Sequence, residues 1–141
     1  MCPRFLPELL AKYPHMAPQD VPIWTRFLAS YGPRFTGIDY DVRVGKGITP
    51  PADLPEPYAS DAILLTQKRI DAVGYTPTAI WVIEVKPEAS ISALGQILTY
   101  TDLFRASRKP DHPVLSVIVC ETIDADILPI FKRQGITLLT V

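Results

Sequence analysis

Apolar positions change their period several times along the chain, and each change marks an element. Prolines at 3, 7, 14 and 18 forbid a long helix at the start, so residues 1–18 are expected to form a Pro-rich arm of short turns. Asp20 follows as a candidate N-cap, with Val21-Pro22 in a first turn and Ile23, Trp24, Phe27, Leu28 and Tyr31 at helical spacing, until Gly32-Pro33 stops the pattern. Trp24 and Phe27 are expected in the core. Gly37 to Gly45 alternates polar and apolar residues, which predicts a half-buried strand with Asp39, Asp41 and Arg43 on one face. Pro50, Pro51, Pro55 and Pro57 make the stretch from Gly45 to Ser60 a surface loop.

Beyond that loop, Ala62 to Tyr75 reads as β-rich and passes through Thr76-Pro77-Thr78 into a second strand ending at Lys86. So short a connection predicts an antiparallel hairpin. Ser90 or Ser92 opens a helix to about Ala106, closed by Pro110 and Pro113. The apolar run Val114 to Cys120 is typical of a strand covered on both faces. Asp124 is expected to cap a short helix through Gln134, Gly135 to end it, and Ile136 to Val141 to form a last strand. Strands separated by helices in this second half require a partly parallel sheet, and the class is α/β.

One stretch breaks the apolar pattern. Glu84 and Lys86 sit two apart in Ile80-Trp81-Val82-Ile83-Glu84-Val85-Lys86, where burying both charges costs on the order of several kcal/mol unless something compensates. A turn centred between Pro77 and Thr78 sets Asp71 opposite Glu84 and Arg69 opposite Lys86, all on one face. A slip of one residue would separate the carboxylates across the sheet. Facing carboxylates repel unless a cation lies between them, and their oxygens suit Mg²⁺ or Mn²⁺, with the Val85 carbonyl as a further ligand. Lys86 would then lie beside metal-bound water, where it can orient or deprotonate it, and the expected chemistry is phosphodiester hydrolysis. On the following helix Gln96 and Tyr100 are four apart and share a face; Ile91, Leu94, Leu98 and Leu103 can supply the packing face. Gly95 is unfavourable mid-helix, which raises a close approach of backbone or substrate as its reason.

The order Asp71, then Glu84-Val85-Lys86, then Gln96-Ile97-Leu98-Thr99-Tyr100 resembles the PD-(D/E)XK nuclease superfamily, in particular its RecB-like and phage-type branches. The resemblance covers Asp20 through Cys120 and implies a restriction-endonuclease-like αβββαβ core, a mixed sheet flanked by helices, here with an additional C-terminal helix and strand. It implies a Mg²⁺-dependent DNA nuclease in which Asp71 and Glu84 bind metal and Lys86 assists the attacking water. Gln96 and Tyr100 would support the site or contact DNA, with Lys68 and Arg69 as neighbouring cations. The first-strand aspartate follows Ile70 where a proline is usual, and the acidic residue many relatives carry on the first helix has only Asp20, at its cap, as a counterpart. The alternative is an inactive nuclease-fold module that binds nucleic acid or serves assembly in a larger, phage-type complex.

Composition narrows the setting. A chain of 141 residues accommodates one domain, and 48% hydrophobic with 21% charged residues is ordinary for a folded soluble protein. No apolar run approaches the roughly 18 residues of a membrane span, and the start lacks secretory-signal character, so a cytoplasmic protein without a membrane partner is expected. Cys2 and Cys120 make no disulfide framework, and His15 and His112 have no partners at zinc-ligand spacing. There is no Gly-rich phosphate loop or nucleophilic serine motif, and Glu121, Asp124 and Asp126 read as capping groups. With a net charge of −1, attraction for DNA must be local, and a homo-oligomer or a DNA-processing assembly is one way to obtain it. Fifteen prolines and no asparagine point to a thermophilic origin. Scanning calorimetry is expected to give a melting temperature above the range of about 45–65 °C that mesophilic domains occupy.

Overall fold

The computed structural model describes residues 3–141; Met1 and Cys2, part of the expected arm, lie outside the described residues. The elements are α1 (Val21–Tyr31), a 3-10 turn (Gly32–Arg34), β1 (Gly37–Val44), α2 (Tyr58–Thr66), β2 (Lys68–Tyr75), β3 (Ile80–Ala89), α3 (Ile91–Arg108), β4 (Val114–Ile123), α4 (Leu128–Arg133) and β5 (Thr137–Thr140). The strands form one open five-stranded sheet in chain order. β1, β2 and β3 pair antiparallel, whereas β3, β4 and β5 pair parallel, so the sheet is mixed.

Helices cover both faces. On one, Ile23, Trp24 and Phe27 of α1 pack with Tyr40, Ile83, Val85 and Val119. Trp24 Nε1 donates to Tyr40 Oη at 2.9 Å, which satisfies the indole and fixes the helix to the edge strand. On the other face, Ala93, Ile97 and Phe104 of α3 and Phe131 of α4 pack with Val44, Val73, Val82 and Ile118. The arm also has a fixed place. Phe5 and Ile38 exchange backbone hydrogen bonds of 3.1 and 2.9 Å, so the arm runs along the outer edge of β1.

β1 and β2 turn over part-way. A regular strand keeps residues i and i+2 on one face, yet Tyr40 packs on the α1 side and Val42 on the α3 side. Ala72 and Ile70 divide in the same way. Asp41 lies at the reversal with φ of 53°, a left-handed conformation that few residues other than glycine adopt. Rungs run from Gly37↔Tyr75 to Tyr40↔Ala72 and resume at Val42↔Ile70; the rung that would join Asp41 to Asp71 is missing.

The hairpin register is the expected one. Ala72↔Ile83 through Tyr75↔Ile80 centre the turn between Pro77 and Thr78. Three local expectations are corrected. Residues 58–66 are helical, so α2 replaces the end of the expected loop and the start of the expected strand. Its Ala59, Ala62, Leu64 and Leu65 are strong helix formers, and short apolar runs do not separate the two states by pattern. The α3 packing face is Ala93, Ile97, Thr101 and Phe104, not Ile91 and Leu98, which are exposed; apolar residues surround this helix, and the small Ala93 and Thr101 allow the closer approach to the sheet. Gly95 has no protein atom against it, so the close approach of backbone offered as its reason is absent.

Gly74 does meet a tight constraint. A Cβ there would lie 2.5 Å from Cε1 of Phe35, whose ring is held edge-on against Trp81 at a centroid distance of 5.1 Å. Gly74→Ala is expected to destabilise the fold by about 1–3 kcal/mol through overpacking, read as a lower urea midpoint with unchanged slope.

Candidate active site

The site forms where β2 and β3 part. Their pairing ends at Ala72↔Ile83, while β3 continues beside β4 to Ala89↔Ile123. Asp71 and Glu84 occupy the next position on each strand. Across the widening gap, Val85 N–H donates to Asp71 Oδ2 at 2.9 Å, so a carboxylate takes the place of a ladder carbonyl. Asp71 N–H, whose rung to Asp41 is missing, donates instead to Glu84 Oε1 at 3.3 Å. Lys86 Nζ lies 3.6 Å from Glu84 Oε2. Asp71, Glu84 and Lys86 therefore converge as the sequence predicts.

Burial governs the electrostatics. Glu84 is 2% exposed, and desolvation, then the charge of Asp71, push its carboxyl up to about 8 against the lowering effect of Lys86. Asp71 is also raised, first by burial, although the Val85 N–H and Lys86 favour its charged form. Asp20 belongs to the same field. Burial raises its carboxyl, Asp71 raises it further and Lys86 lowers it. It occupies the cap position of α1 but makes no capping hydrogen bond, and its buried Oδ1 has no partner. Tyr100 is raised first by burial and then by the charges of Glu84 and Asp71. Gln96, one turn earlier, carries a buried Oε1 without a partner.

The remaining candidates separate. Arg69 does not pair across from Lys86, because β2 and β3 have already diverged; its Nη2 donates to Asp41 Oδ2 at 2.9 Å, with Nε on the other oxygen. His15 of the arm places Nε2 at 3.5 Å from the same carboxylate. Pro14, His15, Asp41, Arg69 and Asp71 line one open cleft. Lys68 is exposed at the far end of β2, opposite Val44, and lines a different groove with Gly45, Thr66 and Leu103. Asp41 and His15 line the cleft of Asp71 although the sequence does not mark them as site residues. Asp41 shows in the sequence only as one of several alternating polar residues, and His15 has no signal there.

The donor set suits a hard cation. Asp71 and Glu84 offer carboxylate oxygens, and an extended residue sends N–H and C=O to the same side, so the Val85 carbonyl is directed at the same gap. Burial first, and the neighbouring carboxylate second, disfavour the charged form of Glu84, and the buried Asp20 Oδ1 has no partner, so an added positive charge would be compensated there. Mg²⁺ or Mn²⁺ held by one or two carboxylates and several waters fits that description. Among the described residues, no group of three or more His, Cys, Asp or Glu side chains is close enough to hold a metal ion alone.

No family model, curated protein or solved structure matches this chain. Among the described residues no helix is long and apolar enough to cross a membrane.

The raised carboxyl of Glu84 links stability to pH. Between its ordinary value of 4.5 and about 8 the unfolded chain has released this proton and the folded protein retains it, so metal-free stability falls as pH rises through that window and levels off above it. Asp71 and Asp20 act in the same direction. Glu84→Gln is expected to flatten this dependence and melt above the parent at pH 8 in chelator, measured by thermal unfolding across pH.

Proposed function

We propose that this protein is a divalent-metal-dependent DNA nuclease with a restriction-endonuclease-like core, acting in replication, repair, recombination or phage genome processing. The observation that carries the reading is the convergence of Asp71, Glu84 and Lys86 where β2 and β3 part. The chain order supports it: apart from α2, a helix, three strands, a helix and a strand precede α4 and β5.

In this reading Asp71, Glu84 and the Val85 carbonyl hold Mg²⁺ or Mn²⁺. When bound, the ion would supply an activated water near neutral pH and positive charge for the phosphodiester oxygen. Lys86 Nζ, 3.6 Å from Glu84 Oε2, would orient the attacking water and offset charge developing on phosphorus. Gln96 and Tyr100 extend the site from α3 and provide an amide and a phenol for the DNA backbone or the water network. Arg69 keeps Asp41 neutralised one strand away, so that carboxylate does not repel the substrate.

A second reading, a catalytically silent nuclease-fold module within an assembly, is favoured by the net charge of −1, since a free nuclease gains from a basic surface. Calorimetric titration with Mn²⁺ separates the two: a folded protein without metal binding supports the module.

The deciding assay offers single-stranded, double-stranded and branched DNA with Mg²⁺ or Mn²⁺. Cleavage is expected in the parent, and a loss of at least about a hundredfold is expected in each of Asp71→Ala, Glu84→Ala and Lys86→Ala, the scale of removing a charge-stabilising group. Cleavage retained in all three variants would falsify the assignment.

A further inference from the structure

Beside Asp41 lies a second open pocket, whose lining includes Arg4, Asp39, Asp41, Arg43 and Arg108. It shares Asp41 with the cleft that contains Asp71, so the two are neighbours across a single residue. Elements distant in sequence build it. Arg4 comes from the arm, Arg43 from β1, and Arg108 from the last turn of α3. Arg108 Nη2 donates to the Arg43 carbonyl at 3.2 Å, which carries that guanidinium over the edge strand.

The pocket's acids are already engaged. Asp39 accepts the Arg4 backbone N–H at 2.8 Å and the Tyr75 hydroxyl at 3.2 Å, and the Arg4 Nε lies 3.8 Å away. Asp41 is held by Arg69. Among the described residues neither Arg43 nor Arg108 has a carboxylate partner. The Nε of Arg43 is also buried without any hydrogen-bond partner. An unmade hydrogen bond on a buried charged donor is costly, and a water or an anion seated beside Arg43 would complete it. Planar guanidinium forks match the paired oxygens of a phosphate.

We infer that Arg43 and Arg108, with Arg4, hold a phosphate group of the DNA strand whose scissile bond lies at Asp71 and Glu84. This rests on the nuclease reading for the identity of the strand, but the pocket itself is argued from its own residues. The strand crosses Asp41, which Arg69 keeps neutral, and the arginine pocket sets the distance between the held phosphate and the reacting one. The held group is either an internal phosphodiester or a terminal phosphate; both present the same oxygens.

Fluorescence anisotropy in chelator, where metal-dependent cleavage is silent, tests the pocket apart from the chemistry. The probes are labelled oligonucleotides with a 5′-phosphate, a 3′-phosphate or hydroxyl ends, with unlabelled circular single strands as competitors. Arg43→Gln with Arg108→Gln is expected to weaken binding at least about tenfold and to reduce the slope of log affinity against log salt by about one. Lys132→Gln on α4 is expected to change neither quantity. A preference for one phosphorylated end, lost in the double variant, assigns a terminal phosphate; equal competition by circles, also lost, assigns an internal one. Unchanged affinity and slope in a double variant that melts like the parent overturn the inference, as does a parent that binds none of the probes. If Arg43→Gln fails to fold, the exposed Arg108→Gln carries the same comparison. Arginine-dependent binding without cleavage under Mg²⁺ or Mn²⁺ overturns the nuclease reading and leaves the pocket, whereas cleavage with unchanged KM in the double variant does the reverse.

Discussion

Where the N–H of Val85 reaches toward β2, it meets the Oδ2 of Asp71 rather than a backbone carbonyl. That substitution lets two strands separate without leaving a buried donor unpaired. It orients the Asp71 carboxylate, and the Asp71 N–H returns a hydrogen bond to Glu84. Both acids are thereby fixed by the backbone of the other's strand, a more rigid arrangement than side-chain packing alone provides. The reversal at Asp41 is the complementary event on the outer strand, since it removes the rung that would otherwise occupy the Asp71 N–H.

Burial and charge then oppose each other. The apolar residues that cover the sheet on both faces also strip water from Glu84. In such surroundings a carboxylate beside another carboxylate retains its proton, and Lys86 only partly offsets this. The fold therefore disfavours the charged form of Glu84, first through burial and then through Asp71. A divalent ion held at this gap, as proposed, would compete with protons for the same carboxylate oxygens.

Much of this was legible in the sequence, for identifiable reasons. The turn at Pro77-Thr78 is short, and period two leaves no freedom once its centre is chosen, so the Asp71–Glu84 juxtaposition followed from residue spacing. The helix faces were harder. Apolar residues occur all around α3, so periodicity did not identify the side that packs, and α2 combines a strand-like apolar run with helix-forming residues and buries none of them. The left-handed backbone of Asp41 leaves no mark in the order of residue types, and neither does the approach of His15 from the arm. Asp20 was legible as a cap by position but not by chemistry; its carboxylate ignores the helix and joins the field of Asp71 and Lys86.

The bridge between Phe5 and Ile38 has a consequence for how the molecule meets copies of itself. β1 is an outer strand, and an outer strand offers unpaired backbone groups to any extended chain that comes near. The arm occupies that margin at Ile38, while Arg43 places a cation farther along it. A segment that looks like a mere leader thus acts as a selvedge, finishing the sheet so that it does not fray into intermolecular β-structure.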